Sequence, residues 1–479
     1  MSLVFHAQYR RSDTEERRCD LVSRLGASRD PATAEPLGRM LEAERNAPVL
    51  QCFLIKALCE EGSPAALERV LDSLKLRRID PCVPLFTRRI LAFVQNPKGL
   101  AWMSTRAWKE QPELREDLAW ALAKASAWKD PAFFLDHLGP LREKDARLRA
   151  AAAAGLCRLS DPHTAEAVLQ AAVIEDDPAV LMRLLPAAGR LLPGRALPLL
   201  ERMIQHPDLR ARLGALEGLS FAAASPSARE QALALLVSAL ARETGRLRAD
   251  AARFLEAATG KVFGTDAGQW KAFLKEQGTP LPEGFEEVHT RTPRHLGVEM
   301  PSRHIVFLIE TSREMVEDRA TYRPSDRLDR AKKDLLKRIE ALPPEASFSV
   351  VSYGQAVTRW KALLTAATPQ AKAEARAWVQ KLAGNGWPDL GAGLQTAWDL
   401  DCAKADTVVL VAAGQPIERG VPVQFLGALR YPFALRDWVV LQERARSVTL
   451  HVVGVGSSAD KKVLKDLAAA TGGTYRSID

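Results

Sequence analysis

Across residues 13–258 apolar side chains recur at three- and four-residue spacing, the runs are cut by SP, DP, PG and HPD, and no convincing period-2 stretch occurs. This pattern predicts helices throughout. Four segments share one design: KDARLRAAAAAGLCRLSDP (144–162), DDPAVLMRLLPAAGRLLPG (176–194), HPDLRARLGALEGLSFAAA (206–224) and TGRLRADAARFLEAATG (244–260). Recurrence every ~30–38 residues is the mark of stacked helical hairpins, an all-α solenoid. The small residues at 150–154 fit a place where two helices approach closely.

After Gly260, KVFGTDAGQWKAFLKEQ gives one more short helix, and GTPLPEGFEEVHTRTPRH is rich in Pro, Gly and polar residues, as a linker is. Beyond it strands alternate with helices. That alternation predicts a doubly wound α/β domain with a parallel sheet covered on both faces. Strands are expected at 304–310, 347–353, 357–363, 407–412, 448–453 and 474–478. Helices are expected at 325–342, 368–381, 389–400 and 459–471, with 424–446 at least partly helical. The domain expectation is therefore a helical repeat domain at 1–277, a linker at 278–302 and an α/β domain at 303–479.

The 479 residues are long enough for two to four domains with real cores. The net charge of +8 comes from 67 basic against 59 acidic residues spread without a block of like charge, which argues against nucleic acid as a partner. Six cysteines (Cys19, Cys52, Cys59, Cys82, Cys157, Cys402) are scattered, none at CxxC spacing, and read as reduced core thiols of a cytosolic protein. The N-terminal MSLVFHAQYRRSDTEERRCD has a three-residue apolar run before charges begin, and no stretch nears ~18 apolar residues, so neither secretion nor membrane insertion is expected.

Motifs for catalysis are missing from the sequence. No GxxxxGK[ST], GxSxG or HExxH occurs, and the histidines, including His289, His295 and His304, stand alone. GVGSSAD (454–460) nominally fits a dinucleotide fingerprint, but the sequence after it supplies no second nucleotide-binding half. No catalytic residue, metal or cofactor is assigned, and the chain is expected not to be an enzyme.

Two resemblances follow from these residues. The helical units at 144–260 resemble HEAT-type repeats, and 13–141 resembles them in helix pattern. The pairs Arg147/Arg149, Arg210/Arg212 and Arg246/Arg248 then read as rungs tied to Asp145, Asp176 and Asp208 between turns, with a basic binding stripe as the alternative. Trp102, Trp108, Trp120 and Trp128 read as packing between hairpins, with a peptide groove as the alternative.

The segments IVFLIETSREM, SFSVVSYGQAVTRW, GWPDLGAGLQTA, TVVLVAAGQP and TLHVVGVGSSADKKVLKDLAAATGGTY are similar in order and spacing to a von Willebrand factor A (vWA) domain, a Rossmann-like fold, over 303–477. HEAT-like repeats followed by such a domain also resemble a recurring bacterial architecture. In that family the strand ends form a metal-ion-dependent adhesion site (MIDAS), with an Asp-x-Ser-x-Ser loop, a Thr and a further Asp around Mg²⁺. Position by position, Glu310 stands for the first Asp, Ser312 keeps the first Ser, Glu314 replaces the second Ser, Pro388 falls at the Thr and Ala413 at the last Asp. The neighbouring Asp389 still offers a carboxylate. A Glu at a rigid strand end overshoots the place an Asp oxygen would fill, and Pro388 and Ala413 bring no side-chain oxygen.

The resemblance implies a non-enzymatic scaffold that binds protein partners without a metal ion, AAA-type ATPases or parts of a larger assembly among them. The alternative is a Mg²⁺-dependent ligand-binding module using Glu310, Ser312 and Glu314. Trp387 lies beside the altered site and is the candidate partner-binding residue. Exposed, it would be an anchor; folded inward, it would plug the gap left by missing ligands.

Overall fold

The computed structural model describes residues 9, 15–44, 47–74, 87, 90–91, 94–243, 245–280, 294–295, 298–299, 304–317, 323–354, 356–384, 386, 388–400, 405–413, 448–456 and 461–478. Contacts group the described residues into two compact units, one reaching Ala171 and the other starting at Ala172. The expected linker at 278–302 falls largely outside the described residues, as do Trp387 and the expected helix at 424–446.

In the first unit the helices alternate in two rows. Helix α1 (Glu15–Ala27) packs on α3 (Pro48–Glu61), α2 (Ala34–Ala43) on α4 (Pro64–Ser73), and α5 (Arg115–Lys124) on α6 (Ala146–Leu159). Trp120 and Trp128 are buried, and Trp108 meets Phe133 edge to face at 4.9 Å. These aromatics serve as packing between helices.

The helices of the second unit repeat the plan. Helix α7 (Pro178–Leu191) packs on α9 (Leu209–Ala222) and α9 on α11 (Gly245–Thr259), while α8 (Pro193–Met203) packs on α10 (Arg229–Arg242) and α10 on α12 (Ala267–Glu276). The α7–α9 contact is close enough to demand glycine: a Cβ on Gly189 would lie 2.2 Å from the carbonyl oxygen of Gly218. Aspartates start these helices. Asp145, Asp177 and Asp208 accept from backbone N–H groups of the first turn and so satisfy donors that a helix start leaves orphaned.

The arginine pairs act in this same capping device. Asp208 also binds Arg210 two residues on, with Oδ2 2.7 Å from NH2, and Asp145 holds Arg147 likewise at 2.9 Å. In these two pairs the second arginine turns back on the preceding loop, whereas Arg248 of the third donates forward to the Thr265 carbonyl at 2.9 Å. Arg149 donates to the carbonyls of Glu143 and Lys144 at 3.1 and 3.0 Å, and Arg212 to those of His206 and Pro207 at 2.8 and 3.0 Å. Ties between helices come from Glu: Arg147 lies 3.2 Å from Glu116, and Arg212 lies 3.0 Å from Glu243. Of the Asp rungs expected between turns, Asp145 and Asp208 bind within their own helix start, because an Asp at the cap reaches the side chain two residues later, and at the third it is Asp177, not Asp176, that caps the helix. Burial pushes the Asp208 carboxyl up, but the hydrogen bonds and charge of Arg210 outweigh it and hold the group below its ordinary value.

Among the described residues, the α/β half is built on a seven-stranded sheet. Strands β1 (His304–Glu310), β2 (Ser347–Tyr353), β3 (Val357–Arg359), β4 (Thr365–Ala366), β5 (Thr407–Ala412), β6 (Thr449–Val455) and β7 (Tyr475–Ile478) lie in the order β3-β2-β1-β5-β6-β7. The contacts β1–β2, β1–β5, β5–β6 and β6–β7 are parallel. The short β3 and β4 both pair antiparallel with β2. The strand expected at 357–363 is shorter because, after Trp360 donates to the carbonyl of Val350, the chain leaves β2 and returns to it as β4.

Strands β1, β2, β5 and β6 are buried along nearly their whole length, as apolar runs in a parallel sheet should be. The helices of this half are α13 (Arg327–Glu340), α14 (Pro369–Gln380), α15 (Leu390–Asp399) and α16 (Lys461–Ala470). Phe307, Phe348, Leu335 and Val379 belong to one core that joins the sheet to α13 and α14.

Candidate functional site

Strand β1 is followed in the sheet by β2 on one side and by β5 on the other. Chain direction therefore diverges at the carboxyl ends of β1 and β5, the place where open α/β sheets form their binding crevices. Glu310 ends β1 and Ala413 follows β5.

Glu310 is 1% exposed, so its carboxylate has left bulk water and needs partners. It finds donors. The Ser312 hydroxyl donates to Oε1 at 2.5 Å, the Ala413 amide donates to Oε2 at 3.0 Å, and the Tyr353 hydroxyl reaches Oε2 at 3.4 Å. Tyr353 stands beside Glu310 in the β1–β2 register and is itself buried. Burial, then the charge and hydrogen bond of Glu310, push the Tyr353 phenol well above its ordinary value, so it stays a donor.

The turn after β1 is tied down from several sides. Thr311 donates its amide to the Tyr353 carbonyl at 2.7 Å, and the Arg313 amide donates to the Gly386 carbonyl at 2.8 Å. Arg327, at the start of α13, is buried and donates to the Glu314 carbonyl at 3.0 Å. Glu314 lies in the short turn Arg313–Met315 and is buried. Pro388 is buried, and Asp389 caps α15 by accepting from the Ala392 amide at 2.9 Å.

The structure thus brings Glu310, Ser312 and Ala413 into one hydrogen-bonded group, with Ala413 taking part through its backbone. Tyr353 and Arg327 were not singled out by sequence reasoning. Their signal was faint: a Tyr closing a buried strand before Gly354, and an Arg opening an amphipathic helix. Glycine adds to it, since a Cβ on Gly393 would lie 2.9 Å from the Tyr353 Cβ, and its absence makes room for that ring.

A hard divalent cation needs oxygen acceptors turned toward it in near-octahedral array. Glu310 instead lies within reach of the Ala413 amide and of the Ser312 and Tyr353 hydroxyls, all of which can donate to its oxygens. This arrangement does not fit such an ion. Among the described residues no group of three or more His, Cys, Asp or Glu is placed to hold a metal.

Residues 303–477 match the model of the von Willebrand factor type A domain. No curated protein matches the chain. Among solved structures, it is similar to a von Willebrand factor type A protein from Catenulispora acidiphila, at 21% identity and a TM-score of 0.29 over 38% of this chain and 40% of that one. It is also similar to proximal thread matrix protein 1 from the mussel byssus with a zinc-occupied MIDAS motif, at 20% identity and a TM-score of 0.25 over 36% of this chain and 40% of that one. A third is an aerotolerance-related membrane protein from Bacteroides fragilis, at 12% identity and a TM-score of 0.26, over 37% of this chain and 92% of that one. The chain thus spans well under half the length of the first two. The family match and the parallel sheet with its switch point at β1 and β5 make residues 303–477 a von Willebrand factor type A domain.

Proposed function

We propose that this protein is a non-enzymatic interaction scaffold whose vWA domain takes protein partners at the carboxyl end of its sheet without a metal ion. The observation that supports this most is the state of Glu310, whose two oxygens are engaged by donors of the protein itself. A carboxylate so occupied has little left to offer a cation, and octahedral Mg²⁺ tolerates little misplacement.

The two-row helical region fits a HEAT-like solenoid that offers an extended surface. Its arginines are absorbed by caps and loop carbonyls, which weighs against nucleic acid as the partner. Among the described residues no helix is long and apolar enough to cross a membrane. A cytoplasmic assembly, with an AAA-type ATPase as one kind of partner, suits this reading. Trp387, which precedes α15 in the sequence, is our candidate for the residue that anchors the partner.

The test is affinity capture on the full chain with two variants. Trp387→Ala should weaken recovery of the main partner, while a change on the helical region, such as Lys271→Ala in α12, should not. Equal recovery with both would move the binding surface to the helical region.

A further inference from the structure

The three donors on Glu310 come from three strand ends. Ser312 follows β1, Tyr353 closes β2 and Ala413 follows β5, 103 residues from Glu310. Geometry ranks them. The Ser312 contact at 2.5 Å is short, the Ala413 amide at 3.0 Å is ordinary, and the Tyr353 hydroxyl at 3.4 Å is long for its type.

The side chain at position 310 has the length this needs. A Glu overshoots the place where an aspartate oxygen would sit, and the extra methylene carries Oε2 to the amide of Ala413 on the neighbouring strand. Hydrogen bonds to a charged carboxylate are stronger than neutral ones, and exclusion of water strengthens them further. Around them, the Thr311 amide on the Tyr353 carbonyl and the Arg327 guanidinium on the Glu314 carbonyl fix the same turn.

We propose that this carboxylate-centred clamp takes the structural place of a cation: it joins the ends of β1, β2 and β5 and sets the turn Arg313–Met315 through the protein's own donors. Glu310 and its three donors are positioning residues for the sheet edge. The edge is held in its working shape at all times, and divalent ions have no part in switching it. The inference rests on the proposed function in taking this edge as the binding face.

The experiment is thermal unfolding of the full chain, wild type and variants, in EDTA and in millimolar Mg²⁺. The wild-type transition should be the same in both. Glu310→Gln should lower it by several degrees, Ser312→Ala by less and Tyr353→Phe by least, following the ranking of the contacts. The double variant Glu310→Gln/Ser312→Ala should lose less than the two single losses added, because both changes break the same contact. Full additivity, a larger loss for Tyr353→Phe than for Ser312→Ala, or a wild-type transition raised by Mg²⁺ would each overturn the clamp. Should Glu310→Gln not fold, the order of the other two and their indifference to Mg²⁺ decide the matter. No partner enters these melts, so their failure is distinct from a failure of the capture experiment.

Discussion

The amide of Ala413 donates to Oε2 of Glu310 at 3.0 Å, joining the ends of two adjacent parallel strands at the point where the sheet changes direction. Ala413 is 2% exposed, and in the resemblance drawn from the sequence it corresponds to the family's last Asp. Placing an Asp there would set a second buried carboxylate beside the first. Like charges in a dry site disfavour each other, and a buried charge without partners is costly. Ala413→Asp measured in EDTA should therefore destabilise the chain by at least about 2 kcal/mol. Urea unfolding is the check, and an unchanged midpoint would show that Glu310 and the Ala413 side-chain position are not in close contact.

Asp208 and Arg210 give a pH dependence with a definite sign. The folded Asp208 carboxyl is held below its ordinary value, so it binds fewer protons in the folded state than in the unfolded one. Its contribution is present above the unfolded value, about 3.9, and is lost as pH falls through the lower folded value. Asp208→Asn should flatten the acid side of the stability profile. Arg210, 1% exposed, would leave the half-buried Asp208 carboxylate without its main partner if removed, and Arg210→Ala should cost about 2–3 kcal/mol at neutral pH. Thermal melts between about pH 3 and 7, which span the carboxylate range, would read both effects.

Gly189 should not tolerate a side chain. A Cβ there would sit 2.2 Å from the Gly218 carbonyl oxygen, a backbone atom that cannot swing aside. Gly189→Val must push α7 from α9, with an expected loss of about 1–3 kcal/mol from overpacking. Gly194, where nothing lies within 4 Å of an added Cβ, is the control. Equal melting temperatures for Gly189→Val and Gly194→Ala would contradict the close packing.

Much of this was legible in the sequence, for physical reasons. The helical period of 144–260 reports one buried face per helix; the caps at Asp145 and Asp208 were not expected, although a short acceptor side chain just before each helix is their signal. Strands β1, β2 and β5 occur at the residues expected, because strands buried on both faces read as unbroken apolar runs. The site was less readable. The resemblance drawn from the sequence reads Glu310, Glu314, Pro388 and Ala413 as replacing the family's ligands. What replaced them was not visible, because the Ala413 donor is a backbone amide that no side-chain pattern encodes. Tyr353 meets Glu310 only through the register of two strands 43 residues apart.

Trp387 separates two roles by measurement. As an interface anchor its truncation should weaken partner binding by at least ~2 kcal/mol, roughly thirtyfold, with the melting temperature unchanged. As a plug its loss should cost about 3–5 kcal/mol of stability and spare capture at low temperature. Calorimetric melting of Trp387→Ala beside a binding isotherm distinguishes the two, and our reading expects the first.

Ion dependence of partner capture tests the central claim most directly. The full chain is immobilised and offered lysate in EDTA, in millimolar Mg²⁺ and in millimolar Mn²⁺, and the recovered proteins are quantified by mass spectrometry. An ion held a hundredfold above its dissociation constant would add about 2.7 kcal/mol to the state that binds it, so a real requirement could not pass unseen. The account predicts a specific partner recovered in the same amount under all three conditions. Recovery with Mg²⁺ or Mn²⁺ and its loss in EDTA would contradict it.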